Sequence, residues 1–370
     1  MANPCHGELS LSVTGRARRY AILAPGSFAT RSAKTAHGVI AYASDATVAV
    51  IDPEHAGTRV RDAVPYLASD VPIVASLVGA LAFAPNALLV GVAPPGGALP
   101  PAWRAEIVQA LEAGLEVVSG LHQFLGEDPE FAAAAQRGRT TIWDIRTPPA
   151  PRLFTGDAYR IDARVVLTVG SDCAVGKMTA SLELTRAAKE RGLDARFLAT
   201  GQTGIAIAGS GVPVDRTISD FTSGATEELV LANADAGVLF VEGQGAINHP
   251  AFAAVTLGLL YGAAPDALVL VHMVTRTHAH GFTTPLLTLP RLIELYEGLC
   301  AAVKPAPVVA IALNTHGLDE AQARAAIERA AAETGLPCDD LVRFGPRALF
   351  DAIAPHLNSK TIPTQVGMRV

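Results

Sequence analysis

The chain has little of what marks a secreted, a nucleic-acid-binding or a membrane-spanning protein. Its four cysteines, Cys5, Cys173, Cys300 and Cys338, are scattered and form no Cys-x-x-Cys pair. With no secretory leader read either, a disulfide scaffold is excluded and a reduced, cytoplasmic compartment is expected. There is no excess of base: 29 Lys and Arg stand against 35 Asp and Glu, a net charge of −6 that leaves no footprint for nucleic acid. An unbroken apolar helix is missing too. Residues 71–103 carry no charge, but Pro72, Pro85-Asn86 and Pro94-Pro95-Gly96-Gly97 cut them into pieces shorter than the ~20 residues that span a bilayer. No membrane segment is expected.

What is present is apolar chain in strand-length runs. Half of the 370 residues are hydrophobic and 17% are charged, which suits two α/β domains whose parallel strands are buried on both faces. Residues 1–19 carry no pattern, and Arg16, Arg18 and Arg19 suggest a solvated arm. Tyr20 to Ala24 reads as a strand, followed by Pro25-Gly26-Ser27 and a polar stretch from Thr30 to Lys34. Thr47 to Ile51 is a second strand, ending at Asp52. This spacing opens a Rossmann-type unit, although Gly26 stands alone where a dinucleotide site has its run of glycines. Further strands are expected at Ile73–Ser76, Ala87–Val92, Val117–Val118 and Thr140–Asp144, with helices at Trp103–Ala113 and Phe131–Arg137. The prolines in Thr147-Pro148-Pro149-Ala150-Pro151-Arg152 mark a linker, since they enter neither helix nor central strand. The fold class is therefore α/β: a Rossmann-like N-terminal domain over 1–150 and a P-loop, doubly wound parallel-sheet domain over 151–370.

The second half is organised around Val165 to Thr179. An apolar strand runs into Gly170-Ser171-Asp172-Cys173-Ala174-Val175-Gly176-Lys177-Met178-Thr179, and a helix to Arg191 follows. Loop N–H groups, a helix N-terminus and a lysine together make an anion cradle. Two departures matter. Five residues separate the glycines where the usual loop has four, and Met178 stands where a Ser or Thr would ligate Mg²⁺. Strands are expected next at Ala195–Ala199, Gly237–Val241, Ala267–Val271 and Val308–Leu313, with a weaker one near Leu341–Phe344. Helices are expected at Glu227–Ala232, Pro250–Tyr261, Leu292–Val303 and Glu320–Glu333.

Ligands of such sheets gather at the carboxyl ends of the strands, and polar residues crowd there. Gln202 and Thr203 follow the second strand, Asp220 lies in a later loop, and Glu242-Gly243-Gln244-Gly245 with His249 follows the third. An acidic residue directly after an apolar strand beside a phosphate loop is where a Mg²⁺-linked carboxylate sits. Arg276 carries a donor fork that matches a carboxylate or a phosphate. Asn314 is placed to read an adenine edge or to make an Asx turn. His278 and His280 share a strand face, but no second ligand cluster appears at suggestive spacing, so no metal is assigned.

These strings resemble two families. The loop, Glu242-Gly-Gln-Gly and Asn314 look like dethiobiotin synthetase, where such positions bind ATP, Mg²⁺ and adenine. Gly170-Ser-Asp-Cys-Ala-Val-Gly-Lys-Met-Thr, Ala199-Thr-Gly-Gln-Thr-Gly-Ile, Val214-Asp-Arg-Thr-Ile-Ser-Asp-Phe and Glu242-Gly-Gln-Gly-Ala-Ile-Asn-His-Pro closely resemble the DgcN family, as does Ser119-Gly-Leu-His-Gln-Phe-Leu. The resemblance implies an acetyl-CoA-dependent N-acetyltransferase acting on an acidic D-amino acid such as D-glutamate. Residues 170–179 and Asn314 would then hold the carrier, and Gln202, Thr203, Gln244 and Arg276 the amino acid. Glu242, His249 and Asp220 are the candidate bases, and the N–H groups of Gly243 or Gly245 would face the oxyanion. The alternatives are an ATP- and Mg²⁺-dependent kinase or ligase, or a non-catalytic nucleotide sensor. The expected partners are a small molecule and further copies of the chain.

Overall fold

The computed structural model describes residues 17–357. The chain divides into two units: residues up to Thr147 together with Gln202–Pro213, and Pro148–Gly201 together with the residues from Val214 onward.

In the first unit the strands are β1 (Tyr20–Leu23), β2 (Thr47–Ile51), β3 (Ile73–Val74), β4 (Ala87–Val90), β5 (Glu116–Ser119) and β6 (Ile142–Asp144). They form one parallel sheet in the order β3-β2-β1-β4-β5-β6, the doubly wound arrangement of a Rossmann fold. Every residue of β1, β4 and β5 is buried, as expected of strands covered on both faces. The covering helices are α1 (Lys34–Tyr42), α2 (Val60–Ala63), α3 (Leu77–Leu81), α4 (Arg104–Glu112) and α5 (Pro129–Gly138). Gly91 lets α1 lie close: a Cβ there would sit 2.4 Å from Ile22 Cγ2 and 2.9 Å from Ala36 Cβ. The solvated-arm reading fails at its end. The Arg18 guanidinium is buried, donates to both oxygens of Glu116 at 2.8 and 3.0 Å and lies 4.3 Å over the Trp143 ring. Arg19 donates to the carbonyls of Ala84 and Phe83. Arg16 and Cys5 lie outside the described residues.

The second unit holds β7 (Arg164–Gly170), α6 (Lys177–Glu190) and β8 (Ala195–Leu198), after which α7 (Gln202–Ala208) leaves to pack in the first unit. The chain returns as α8 (Ser219–Leu231), β9 (Val238–Val241), α9 (Ala253–Ala263), β10 (Ala267–Met273), α10 (Leu289–Ala301), β11 (Val308–Asn314), α11 (Glu320–Thr334), β12 (Cys338–Asp339) and α12 (Arg347–Ile353). The strand order is β12-β11-β10-β7-β9-β8, all parallel, so β7 and its loop lie at the centre. Val166, Phe240 and Val269 from the strands pack with Leu184 of α6 and Phe350 of α12.

Three expectations change. The last strand is β12, because Leu341–Phe344 is wound into a turn around Asp340, whose carboxylate accepts the N–H groups of Val342 and Arg343 at 3.0 Å and of Thr315 at 2.9 Å. Helix α8 starts at Ser219, ahead of the expected Glu227, and its Glu227 carboxylate instead accepts the N–H groups of Thr155, Gly156 and Ala158. Residues 202–208, where no helix is expected from the sequence, are helical.

Candidate functional site

The loop between β7 and α6 turns on two left-handed residues, Ala174 (φ 53°) and Gly176 (φ 115°). It closes on its own lysine. Lys177 is buried, and its Nζ donates to the Asp172 carbonyl at 2.9 Å. A Cβ on Gly170 would lie 2.8 Å from both atoms, so only glycine permits this wrap. Burial pushes the Lys177 ammonium down to about 8, against the pull of Cys173, Asp172 and Glu242. Among the described residues no carboxylate forms an ion pair with it. A buried cation with no carboxylate partner can hold an anion.

The frame around the loop comes from α10, β10, β7, α6 and β11. Tyr296 of α10, fully buried, donates to the Gly170 carbonyl at 2.8 Å and accepts from the Ile247 N–H at 3.1 Å. Ser171 pairs its hydroxyl with His272 Nδ1 at 2.9 Å, and burial pushes His272 down to about 4, so that imidazole is neutral near pH 7. Thr168 of β7 bonds the Ser181 hydroxyl at 3.0 Å and accepts the Gly243 N–H at 3.0 Å. Asn314 donates to the Val175 carbonyl at 3.1 Å and accepts from His316 N–H at 3.1 Å. Its amide thus braces the loop and closes an Asx-type turn, the second of the two expected roles.

Glu242, directly after β9, is buried beside this loop. One oxygen accepts the N–H groups of Thr200 (3.0 Å) and Gly201 (3.2 Å), and the other accepts Gln244 Nε2 (3.1 Å). Burial pushes the carboxyl up to about 7, opposed by those donors and by Lys177. A base of that strength is half ionised near neutral pH, where general catalysis is most effective. Gln244 thus braces Glu242 through one of its amide N–H groups. Gly243 is no oxyanion donor, since its N–H belongs to Thr168, and a Cβ there would fall 1.8 Å from the Thr168 carbonyl oxygen. Gly245 (φ 66°) serves a tight turn in which a Cβ would meet Thr256 Oγ1 at 2.5 Å.

Asp172 ties a second group together. Its buried carboxylate accepts from Arg276 Nη1 and from the His280 N–H (2.9 Å), while Oδ1 lies 3.7 Å from His249 Nε2 and has no hydrogen-bond partner. Ligand atoms of Asp172, Cys173 and His249 lie within 4.8 Å of one another, close enough to hold a metal ion. The imidazole is already committed, however. Nδ1 accepts the Ala251 N–H at 3.1 Å, which leaves the proton on Nε2, donated to the His280 carbonyl at 3.1 Å. Stacked on Phe252 and edge-on to Phe282, His249 has no ring nitrogen left to act as a base, which corrects its assignment as one.

The remaining candidates fall elsewhere. Asp220 is exposed in the first turn of α8 and takes no part in the Glu242 network. Gln202 and Thr203 are buried in α7, where the Thr203 hydroxyl bonds that of Thr35 (3.0 Å) and the Gln202 stem lies 3.0 Å from where a Gly120 Cβ would be. Both residues thus pack in the first unit, where Thr35 holds the Thr203 hydroxyl. Sequence reasoning missed Thr168, Ser181, His272 and Tyr296. A polar residue inside the apolar run of β7 and a hydroxyl one turn beyond Lys177 were the available signals, whereas Tyr296 carries none.

Comparison with known proteins places this arrangement. Residues 152–350 match a family model described as a domain of unknown function (DUF1611_C), P-loop domain, and residues 53–148 match its companion (DUF1611_N), a Rossmann-like domain. The chain belongs to the DUF1611 family. It is 42% identical over 259 residues to a protein of Pseudoalteromonas sp named D-glutamate N-acetyltransferase, covering 70% of this chain and 78% of that one. A protein of Tritonibacter scottomollicae with the same name is 39% identical over 271 residues, 72% of this chain and 80% of that one. The crystal structure of a DUF1611 family protein from Anabaena variabilis superposes with a TM-score of 0.87 at 43% identity, covering 91% of this chain and 99% of that chain. The motif resemblance to the DgcN family holds, as does the P-loop character of the second domain. Every residue of the loop, Glu242, Arg276 and Asn314 falls inside the stretch matched by the DUF1611 P-loop model. No helix among the described residues is long and apolar enough to cross a membrane.

Proposed function

We propose that this DUF1611 protein transfers an acetyl group from acetyl-CoA to the amine of D-glutamate or a similarly acidic D-amino acid, in the cytoplasm. The name shared by the two relatives supports the reaction class. The observation that carries it for this chain is the buried pair of Lys177 and Glu242, an anion seat beside a carboxylate whose affinity for protons lies near neutrality.

The amine of an amino acid enters as an ammonium and attacks only after losing a proton. Glu242 takes that proton on the oxygen held by Gln244, the other oxygen being fixed by the Thr200 and Gly201 amides. Acetyl-CoA, when bound, supplies a thioester whose C–S bond is replaced by the new C–N bond, leaving the carrier as its thiol. The proton held by Glu242 then passes to the leaving sulfur, and the carboxylate so regenerated takes the second proton that the nitrogen sheds as it becomes an amide and releases it to solvent. Lys177 and the amides at the start of α6 hold an anionic group in place. Two groups in this reaction fit that seat: the diphosphate of the carrier, to which the motifs assign the loop, and a carboxylate of the amino acid.

A second reading, an ATP- and Mg²⁺-dependent kinase or ligase, is favoured by the position of Glu242 after β9 and opposed by Met178 in place of the metal-ligating hydroxyl. Incubation with D-glutamate and acetyl-CoA decides: N-acetyl-D-glutamate and free thiol in equal amounts support acetyl transfer. Nucleoside diphosphate released from MgATP, with no acetylated product, would establish the second reading instead.

A further inference from the structure

Lys177 and Arg276 are anchored on the same residue from opposite ends. Lys177 Nζ holds the main-chain carbonyl of Asp172, and Arg276 Nη1 holds its side-chain carboxylate. Two cations thus hold the main chain and the side chain of one residue, and among the described residues Asp172 is the one carboxylate paired with Arg276 and Lys177 has none. The Lys177 stem passes 3.0 Å from the Cβ position of Gly243, next in sequence to Glu242, so the base lies at the same end of the loop as the ammonium.

Bond connectivity then discriminates between the two anions that fit the seat. In an α-amino acid the reacting nitrogen and the α-carboxylate share one carbon. In coenzyme A the diphosphate is separated from the thioester by the whole pantetheine arm. A base positioned against the loop lysine therefore reaches the amine of a substrate whose α-carboxylate is held there, whereas it would face only the phosphates of a carrier gripped in the same place.

We propose that the loop and Lys177 bind the α-carboxylate of the amino acid, that Arg276 binds its side-chain carboxylate, and that the carrier's diphosphate lies outside this cradle. The proposal rests on the acetyl-transfer reading above. It makes Arg276 the residue that selects acidic substrates, with Asp172 setting the separation of the two cations. It also accounts for Met178, since a carboxylate seat needs no metal-ligating hydroxyl at that position.

Steady-state kinetics on the full-length protein, varying each substrate in turn, tests this. Lys177→Gln should raise KM for D-glutamate on the order of 10- to 100-fold, the loss of a charge-assisted hydrogen bond, with KM for acetyl-CoA nearly unchanged. Arg276→Gln, at a side chain 19% exposed and paired with the buried Asp172, should lower kcat/KM for D-glutamate far more than for D-glutamine and so erase the preference between them, with the melting temperature read alongside to separate this from lost stability. Calorimetry on the same proteins, without acetyl-CoA, should show D-glutamate binding weakened in both variants. A rise in KM for acetyl-CoA with D-glutamate unaffected in Lys177→Gln, or an unaltered substrate preference in Arg276→Gln, would overturn the assignment. Should the wild type acetylate no amino acid at all, the acetyl-transfer reading itself fails and takes this inference with it.

Discussion

Replacing Glu242 by glutamine removes one negative charge from the centre of the site and little else. The oxygen that accepts Thr200 and Gly201 survives as the amide carbonyl, and the new NH₂ faces Gln244, whose own amide can turn its oxygen inward to receive it. The variant should therefore fold. Its turnover should fall on the order of 10²- to 10⁴-fold, the usual contribution of a positioned base. The pH dependence gives a sharper reading. With the carboxyl raised from 4.5 to about 7 in the unliganded protein, wild-type kcat/KM should drop tenfold per unit as pH falls below about 7, whereas the residual activity of Glu242→Gln should lack that limb. Stability changes in a matching sense. A carboxyl whose affinity for protons is higher in the folded state contributes stability that is complete below 4.5 and is lost as pH rises through about 7. The shift corresponds to about 3 kcal/mol. Urea unfolding of the unliganded wild type should weaken between pH 5 and pH 8, and that of the variant should do so much less. A variant that keeps the acidic limb, or turns over within threefold of wild type, would refute Glu242 as the base.

Other perturbations test the frame. Tyr296→Phe leaves the Ile247 N–H and the Gly170 carbonyl without their shared hydroxyl, and should cost about 1–3 kcal/mol in urea unfolding while raising KM for the anion held by the loop. Glu116→Ala strands the Arg18 guanidinium in the first unit. A loss of about 3–5 kcal/mol by thermal or chemical unfolding is expected, and one under about 1 kcal/mol would mean that Arg18 finds water. Gly243→Ala has no room for its methyl group against the Thr168 carbonyl, so soluble yield should collapse; a well-folded variant with wild-type melting would disprove the close approach.

Much of this architecture was legible from periodicity. Strands such as β2 and β9 are short apolar runs bounded by turn residues, and a chain that must bury both faces of a parallel sheet has few other ways to place them. The loop was legible for a different reason: the glycines and Lys177 are adjacent in sequence because the chemistry is local. What could not be read is whatever depends on long-range pairing. Arg18 looked solvated because Glu116 lies 98 residues away, and nothing near Arg276 in the chain reveals that Asp172, 104 residues earlier, holds it in place. His249 fails as a base through a backbone N–H two residues on, a detail of turn geometry that no side-chain pattern encodes. Helix α7 went unseen since a short Gln-Thr-Gly-Ile-Ala-Ile-Ala run has no face that distinguishes it from a loop until its partner is known.

That same helix has a consequence for anyone wishing to divide the protein. Residues 202–213 are borrowed from the middle of one half to complete the other, so the polypeptide passes the boundary three times, after Thr147, Gly201 and Pro213. A gene started at Pro148 would carry Ile205, Ala206 and Ile207 into water, and one stopped at Thr147 would lack the piece that covers Thr35. Neither fragment is a natural module. Shuffling by simple truncation and fusion is closed to this architecture, and the two halves are expected to be inherited as one indivisible length of coding sequence.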